Sequence, residues 1–333
     1  MKLADDRGAL QVSSSWPPVP AKFSEPVLMD KSPETGELLY LRELLRETIS
    51  RYHYNRIHMK YRYTAWCRRS QSTLAGQASL SGSDWLKQGE NSPESGDCID
   101  TVCRLQRVLP GLQLAFFGAS LPAPYRQEGL PFFGHVAAGI LYQVANCKPL
   151  YVLLDPAFDL PEPVVLSSEK PVQRILSNRG CWTFRLMEPW IQACLSGTQN
   201  GRWDGACYRY FLKNFINPME HIRPIFVPAD LRPSLVIRGP LGTKKGCLKL
   251  CLKKARMVWS FEGVQSVRQF EHIKNYGLPR ELNSFKSIPG LDIDQIRQEI
   301  YSVIDYFLEF GYGPFNGNSP DIGRGGKQKV FLL

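Results

Sequence analysis

Apolar residues recur along the chain in two periods. Leu38, Leu41, Leu45, Ile49 and Tyr52 fall at helical spacing with Glu and Arg between them, which predicts an amphipathic helix from Leu38 towards Arg69. Ser95-Gly96-Asp97 is a helix-start signal. Ile99, Val102, Leu105 and Leu109 then share one face until Pro110-Gly111 stops the helix. Strand-like runs follow at Leu112 to Phe117, His135 to Val144 and Leu150 to Leu154. A Pro-rich loop with Pro122, Pro124 and Pro131 separates the first two, the turn-like Asn146-Cys147-Lys148-Pro149 separates the last two, and Asp155-Pro156 ends the third. Further strands are expected at Leu235 to Ile237 and Cys247 to Leu252. Ile293, Ile296, Ile300, Val303, Ile304 and Phe307 predict a final helix stopping at Gly311.

This succession predicts an α+β fold, one helix followed by an antiparallel meander with further strands and a helix after it. Residues 1–37 carry Pro17, Pro18, Pro20, Pro26 and Pro33 among polar residues and read as a flexible arm. Residues 38–94 read as the helix and a Ser-rich loop, and residues 95–260 as an α+β catalytic core. Residues 261–311 follow as a C-terminal helical segment and residues 312–333 as a Gly-rich tail. No internal repeat is visible.

Composition narrows the class. Of 333 residues, 43% are hydrophobic and 22% charged, which suits a globular chain with a sizeable core. The apolar runs are strand-sized and broken by Pro, Gly or charge, so no membrane span is expected. Met1-Lys2-Leu3-Ala4-Asp5-Asp6 lacks the plan of a secretory signal. The nine cysteines are odd in number and irregularly spaced, so reduced thiols and a cytoplasmic setting are expected.

Three residues carry candidate chemistry. Cys98 stands in the first turn of its helix, where unpaired N–H groups make a positive field that favours thiolate. His135 begins one strand and Asp155 ends the next, so antiparallel pairing brings them to the same end of a hairpin. A carboxylate beside a His holds the useful tautomer and stabilises the imidazolium, completing the logic of nucleophile, base and orienting acid. Cys103 is the rival nucleophile, but it lies more than a turn into the helix.

The order and spacing of these residues resemble the papain-like circle that holds transglutaminase-like enzymes and arylamine N-acetyltransferases. From Cys98 to His135 is 37 residues and from His135 to Asp155 is 20, close to the acetyltransferase pattern. Leu153-Leu154-Asp155-Pro156-Ala157-Phe158, then Pro161 and Pro163 before Val164-Val165-Leu166, looks like that family's strand after its Asp. Tyr208-Arg209-Tyr210-Phe211 through Leu235-Val236-Ile237-Arg238 and the Lys-rich strand at 247–254 match its later segments more loosely. The resemblance covers residues 95–260. It departs where Ser95-Gly96-Asp97 stands in place of that family's basic, diglycine approach to the Cys.

The resemblance implies a papain-like or transglutaminase-like core. It also implies acyl transfer through a Cys98 thioester, most simply amide-forming, with hydrolysis and cyclisation using the same machinery. The partners are then a small-molecule acyl donor and an amine or other nucleophilic acceptor. No permanently bound cofactor and no metal are expected, and acyl-CoA or a carrier-protein thioester is the candidate donor.

The net charge of +10 divides into two patches. Residues 51–69 interleave Arg51, Arg56, Lys60, Arg62, Arg68 and Arg69 with Tyr52, Tyr54, Tyr61, Tyr63 and Trp66, without an acid. A non-enzymatic nucleic-acid-binding protein using this patch is the alternative reading. A helix with one packed aromatic face and one solvated basic face is the simpler account. Lys244, Lys245, Lys249, Lys253 and Lys254 read as the exposed face of an edge strand.

Overall fold

Apolar strands from Ala115 onward, the central ones buried on both faces, build one large sheet, and a smaller sheet gathers the C-terminal strands with two short segments from before Cys98. The computed structural model describes residues 28–29, 33–72, 95–112, 114–120, 133–143, 148–197, 205–215, 230, 232–238, 244–261 and 263–310. Most of the expected N-terminal arm, the Ser-rich loop from 73 to 94, the Pro-rich loop, most of the turn before Lys148 and the Gly-rich tail lie outside them.

In chain order the elements are β1 (Leu28–Met29), α1 (Thr35–Arg51), β2 (His53–Asn55), α2 (Arg56–Ser72), β3 (Ser95–Gly96) and α3 (Cys98–Val108). Then come β4 (Ala115–Ser120), β5 (Phe133–Tyr142), β6 (Leu150–Leu154), a 3₁₀ turn over Pro156–Phe158, β7 (Val164–Leu166), β8 (Val172–Ser177), β9 (Gly180–Leu186), β10 (Trp190–Ser196) and β11 (Cys207–Phe215). The last are β12 (Ser234–Arg238), β13 (Lys244–Cys251), β14 (Arg256–Phe261), β15 (Val264–Gln269), α4 (Phe270–Tyr276) and α5 (Ile293–Phe310).

The large sheet runs β7-β6-β5-β4-β11-β10-β9-β8, antiparallel throughout, with β1 parallel to β5. Its two end strands meet through Gln173 on β8. The side chain accepts from Val165 N at 2.6 Å and donates to Pro163 O at 3.2 Å, so it covers part of the β7 edge. The inner face buries Phe117, Ala137, Leu153, Phe158, Trp182, Phe184, Ala193 and Tyr210. Gly139 is required there, because a Cβ at that position would collide with the Phe117 ring. The outer face of β5 and β6 (Val136, Ala138, Ile140, Val152, Leu154) packs against Leu41 and Leu45 of α1 and Ile99, Val102 and Leu105 of α3. Two opposed stripes on β5 thus serve two cores, as a period of two allows.

The smaller sheet runs β15-β14-β13-β12-β2-β3. Leu235, Ile237, Leu248, Leu250, Met257 and Trp259 meet the stripe of α5, Ile296, Ile300, Val303, Ile304 and Phe307, with α2 alongside. Each large aliphatic side chain buried in this way contributes about 1.5–3 kcal/mol. Among the described residues no helix is long and apolar enough to cross a membrane.

Four expectations are corrected. The helix expected from Leu38 towards Arg69 is two helices with β2 between them. Periodicity is blind to the break because it is made by buried polar groups. His53 Nε2 lies 2.8 Å from Pro289 O, its Nδ1 accepts from Arg238 N at 3.1 Å, and Asn55 Oδ1 caps α2 by accepting from His58 N at 3.1 Å. The strand expected at Leu112 to Phe117 occurs at Ala115–Ser120, since the small residues Gly118, Ala119 and Ser120 continue the ladder opposite β5. The Lys-bearing strand is not an edge: β13 lies between β12 and β14. The nine cysteines are not all reduced, for Cys194 and Cys207 stand directly opposite on β10 and β11 and are joined as a disulfide. Spacing along the chain does not show that register.

Candidate active site

The sequence Asp97-Cys98-Ile99-Asp100 folds as a capping box. Asp97 Oδ1 accepts from Ile99 N at 2.8 Å and Asp100 N at 3.1 Å, and Asp100 Oδ2 accepts from Asp97 N at 3.0 Å. This fixes the start of α3 and sets Cys98 as its first residue, 7% exposed. Gly96 just before the cap leaves no room for a side chain, since Tyr52 Oη and the Asp100 carboxylate fill the space. Cys103 sits farther along α3, half-buried beside the same core.

His135 and Asp155 meet as the hairpin requires. Ala138 pairs with Leu154 across β5 and β6, so Asp155 and His135 lie at the same end of the ladder. His135 Nε2 is 2.6 Å from Asp155 Oδ2, and the two residues are 5% and 1% exposed. With Nε2 facing the carboxylate, the ring proton belongs on Nε2 and Nδ1 is the basic nitrogen. Phe158, from the 3₁₀ turn that Asp155 caps, stacks on the imidazole with centroids 4.0 Å apart.

Asp155 is a buried carboxylate with three donors: His135, Phe158 N at 3.3 Å and the Tyr210 hydroxyl at 2.7 Å. Burial and the charge of Asp155 push the Tyr210 hydroxyl well above its ordinary range, so it remains a donor. Cys98 belongs to the same neighbourhood. Its helix packs on β5, it shares a core with Val136 and Ala138, and its charge adds to the upward push on Tyr210.

The turn carrying Asp155 is anchored to the second sheet. Arg238, 3% exposed at the end of β12, donates to Pro156 O at 3.3 Å and Ala157 O at 3.1 Å. It also pairs with Asp159 at 2.8 Å, and Arg179 pairs with the same carboxylate at 2.6 Å. Two guanidiniums therefore hold the turn and balance the buried Asp159 carboxylate.

The structure thus brings His135 and Asp155 into contact and packs the Cys98 helix on the strand bearing His135. Sequence reasoning missed Tyr210, Arg179 and Arg238. Tyr210 lies 55 residues from Asp155, and no local pattern announces such a contact. The basic patch at 51–69 is largely absorbed by the fold. Lys60 is fully buried, Tyr61, Tyr63 and Trp66 pack against the second core, and Arg56 and Arg68 pair with Asp230 and Glu309.

No family model and no curated protein matches the sequence. The fold is of the papain-like, transglutaminase-like class, a Cys-bearing helix against an antiparallel sheet. More particularly it is the arylamine N-acetyltransferase fold. A cysteine-to-glutamine variant of that enzyme from Mycobacterium smegmatis superposes with a TM-score of 0.50 at 12% identity, over 83% of this chain and 95% of that one. The structure from Mycobacterium abscessus gives 0.48 at 15% identity over 84% and 90%, and that from Salmonella typhimurium 0.47 at 15% over 83% and 93%.

Proposed function

We propose that Cys98, His135 and Asp155 work as a triad for acyl transfer through a thioester on Cys98. The observation that carries the reading is the buried His135–Asp155 pair, beneath a helix that begins at a cysteine. His135 Nδ1 takes the Cys98 proton, and the thiolate attacks the acyl carbonyl of the donor. Backbone N–H groups beside Cys98 other than those of Ile99, Asp100 and Thr101, which Asp97 holds, stabilise the oxyanion. Its collapse expels the donor's leaving group, which takes the proton from the imidazolium. An acceptor then attacks the thioester, gives its proton to His135, and releases Cys98. Asp155 steadies the imidazolium at each half-reaction.

The donor is a small-molecule acyl thioester, acyl-CoA or a carrier-protein arm, and the acceptor is an amine, with water as the competing nucleophile. The chain is incubated with acetyl-CoA and digested, and peptide masses are read. An acetyl group on the Cys98 peptide, lost in Cys98→Ala and slowed at least about 100-fold in His135→Ala, is the expected result. Acetylation absent from Cys98, or equally fast without His135, overturns the proposal.

A further inference from the structure

The Cys194–Cys207 disulfide takes no part in the chemistry at Cys98, and the place it holds in the large sheet sets its character. Leu195 N donates to Ala206 O and Leu212 N to Pro189 O. Hydrogen bonds therefore alternate past Cys194 and Cys207, which face each other as a non-hydrogen-bonded pair. Such pairs bring side chains closest, and the two Cα atoms are 4.1 Å apart. Both cysteines are half-buried on the outer face, while Ala193, Tyr208 and Tyr210 between and beyond them fill the inner core. A disulfide that reaches solvent is open to attack by an external thiolate.

The surroundings are cationic. Two rows of facing residues cross this outer face. Arg174, Thr183, Cys194 and Cys207 make one, and Arg185, Gln192 and Arg209 make the next. Arg174 and Arg185 are exposed, and the Arg209 guanidinium is 5.2 Å from the Trp190 ring centroid. Strands β8 to β11 contain no Asp or Glu. Three guanidiniums thus stand on strands without a carboxylate, where they draw anions and favour thiolate over thiol. Cys181 shares the face, but it pairs with Ser196, two residues along from the Thr183 that pairs with Cys194. That diagonal, about 7–8 Å, is too long for a disulfide, so the redox couple is Cys194 and Cys207.

We propose that Cys194 and Cys207, with Arg174, Arg185 and Arg209, form a thiol–disulfide exchange site for an anionic small-molecule thiol, a peptide thiol bearing carboxylates. The guanidiniums take the carboxylates, and the ligand thiolate attacks one cysteine sulfur. A mixed disulfide forms, the Cys194–Cys207 bond breaks, and the other cysteine leaves as thiolate and takes up a proton. A second ligand thiolate attacks the sulfur of the bound ligand and expels the remaining cysteine as thiolate, which is protonated in turn. Two electrons and two protons pass from two ligand thiols to the cysteine pair, and a ligand disulfide departs. The reverse sequence, starting from the ligand disulfide, closes the cross-link. Exchange opens and closes the tie between β10 and β11, the strand that carries Tyr210.

Glutathione is the probe, with cationic cysteamine as the comparison. The full chain is oxidised with glutathione disulfide and then mixed with either thiol at matched thiolate concentration. Samples are quenched in acid, blocked with N-ethylmaleimide and read by peptide mass. Glutathione is expected as a mixed disulfide on Cys194 or Cys207, and it should open the pair faster than cysteamine. In the double variant Arg174→Gln, Arg185→Gln the glutathione rate should fall roughly 2- to 30-fold, as for two lost exposed ion pairs. The cysteamine rate should hold, and circular dichroism checks the fold. If that variant does not fold, added KCl on the wild-type chain gives the reading, since salt slows the anionic thiol alone. Equal rates for the two thiols, or an equal change in both on substitution or in salt, overturn the proposal. Failure of the pair to close in glutathione disulfide overturns it too. None of these readouts uses Cys98, so they are independent of the outcome for acyl transfer.

Discussion

The three donors on Asp155 differ in what they do. Phe158 N fixes the carboxylate to its own turn, His135 is the group it serves, and Tyr210 bonds the same oxygen as His135. A hydrogen bond to a buried charge contributes about 1.5–3 kcal/mol. Tyr210→Phe removes that bond while keeping the ring that meets His135 edge-on at 6.1 Å. Acyl transfer is expected to fall by roughly 10- to 100-fold, with the melting temperature lowered by about 2–4 °C for that lost bond, as steady-state rates and a melting curve would show. A full-rate Tyr210→Phe variant would mean that the tyrosine merely fills space. The Cys98, His135 and Asp155 positions were legible in the sequence because each sits beside a local signal: a cap, a strand start and a strand end. Tyr210 and Arg238 were not, because their roles depend on strands far away in the chain.

Among the elements, α2 departs most from its sequence pattern. Lys60 reads as part of a basic face, yet it is fully buried beside Asp230 and Cys67, and burial holds its ammonium down to about 8. Below that pH the fold carries a buried charge at a cost. Above it the folded chain sheds the proton while the unfolded chain, near 10.5, keeps it, so stability from this group rises with pH. The gain is about 2 kcal/mol between about pH 7 and about pH 9.5. Lys60→Met lacks the titrating group. Urea unfolding should therefore find it more stable than wild type at neutral pH, with the gap narrowing by that amount in alkali. A gap constant with pH would contradict a depressed Lys60. The same buried polar groups explain why one long helix was expected where α1, β2 and α2 stand: His53 and Asn55 serve the second sheet, and periodicity registers only apolar positions.

At the scale of the whole molecule, the helix–meander core was legible from helical spacing, apolar runs and turn chemistry. Of the second sheet, β12 and β13 were legible as apolar runs, whereas β2 and β3 were not, because they are too short to announce themselves and β2 pairs with β12 from far along the chain. That sheet serves the site through Arg238, which braces the turn after Asp155. The chain carries six free cysteines among its described residues, at positions 67, 98, 103, 181, 247 and 251, and Cys98 is more buried than Cys103, Cys181 or Cys251. Exposure alone would rank it behind those three, whereas a triad would rank it first. Brief labelling of the native chain with iodoacetamide at neutral pH, read by peptide mass spectrometry, decides between them. The account predicts modification at Cys98 before the other free cysteines, abolished as a preference by His135→Ala. Labelling that follows exposure, with Cys103, Cys181 and Cys251 ahead of Cys98, would contradict it.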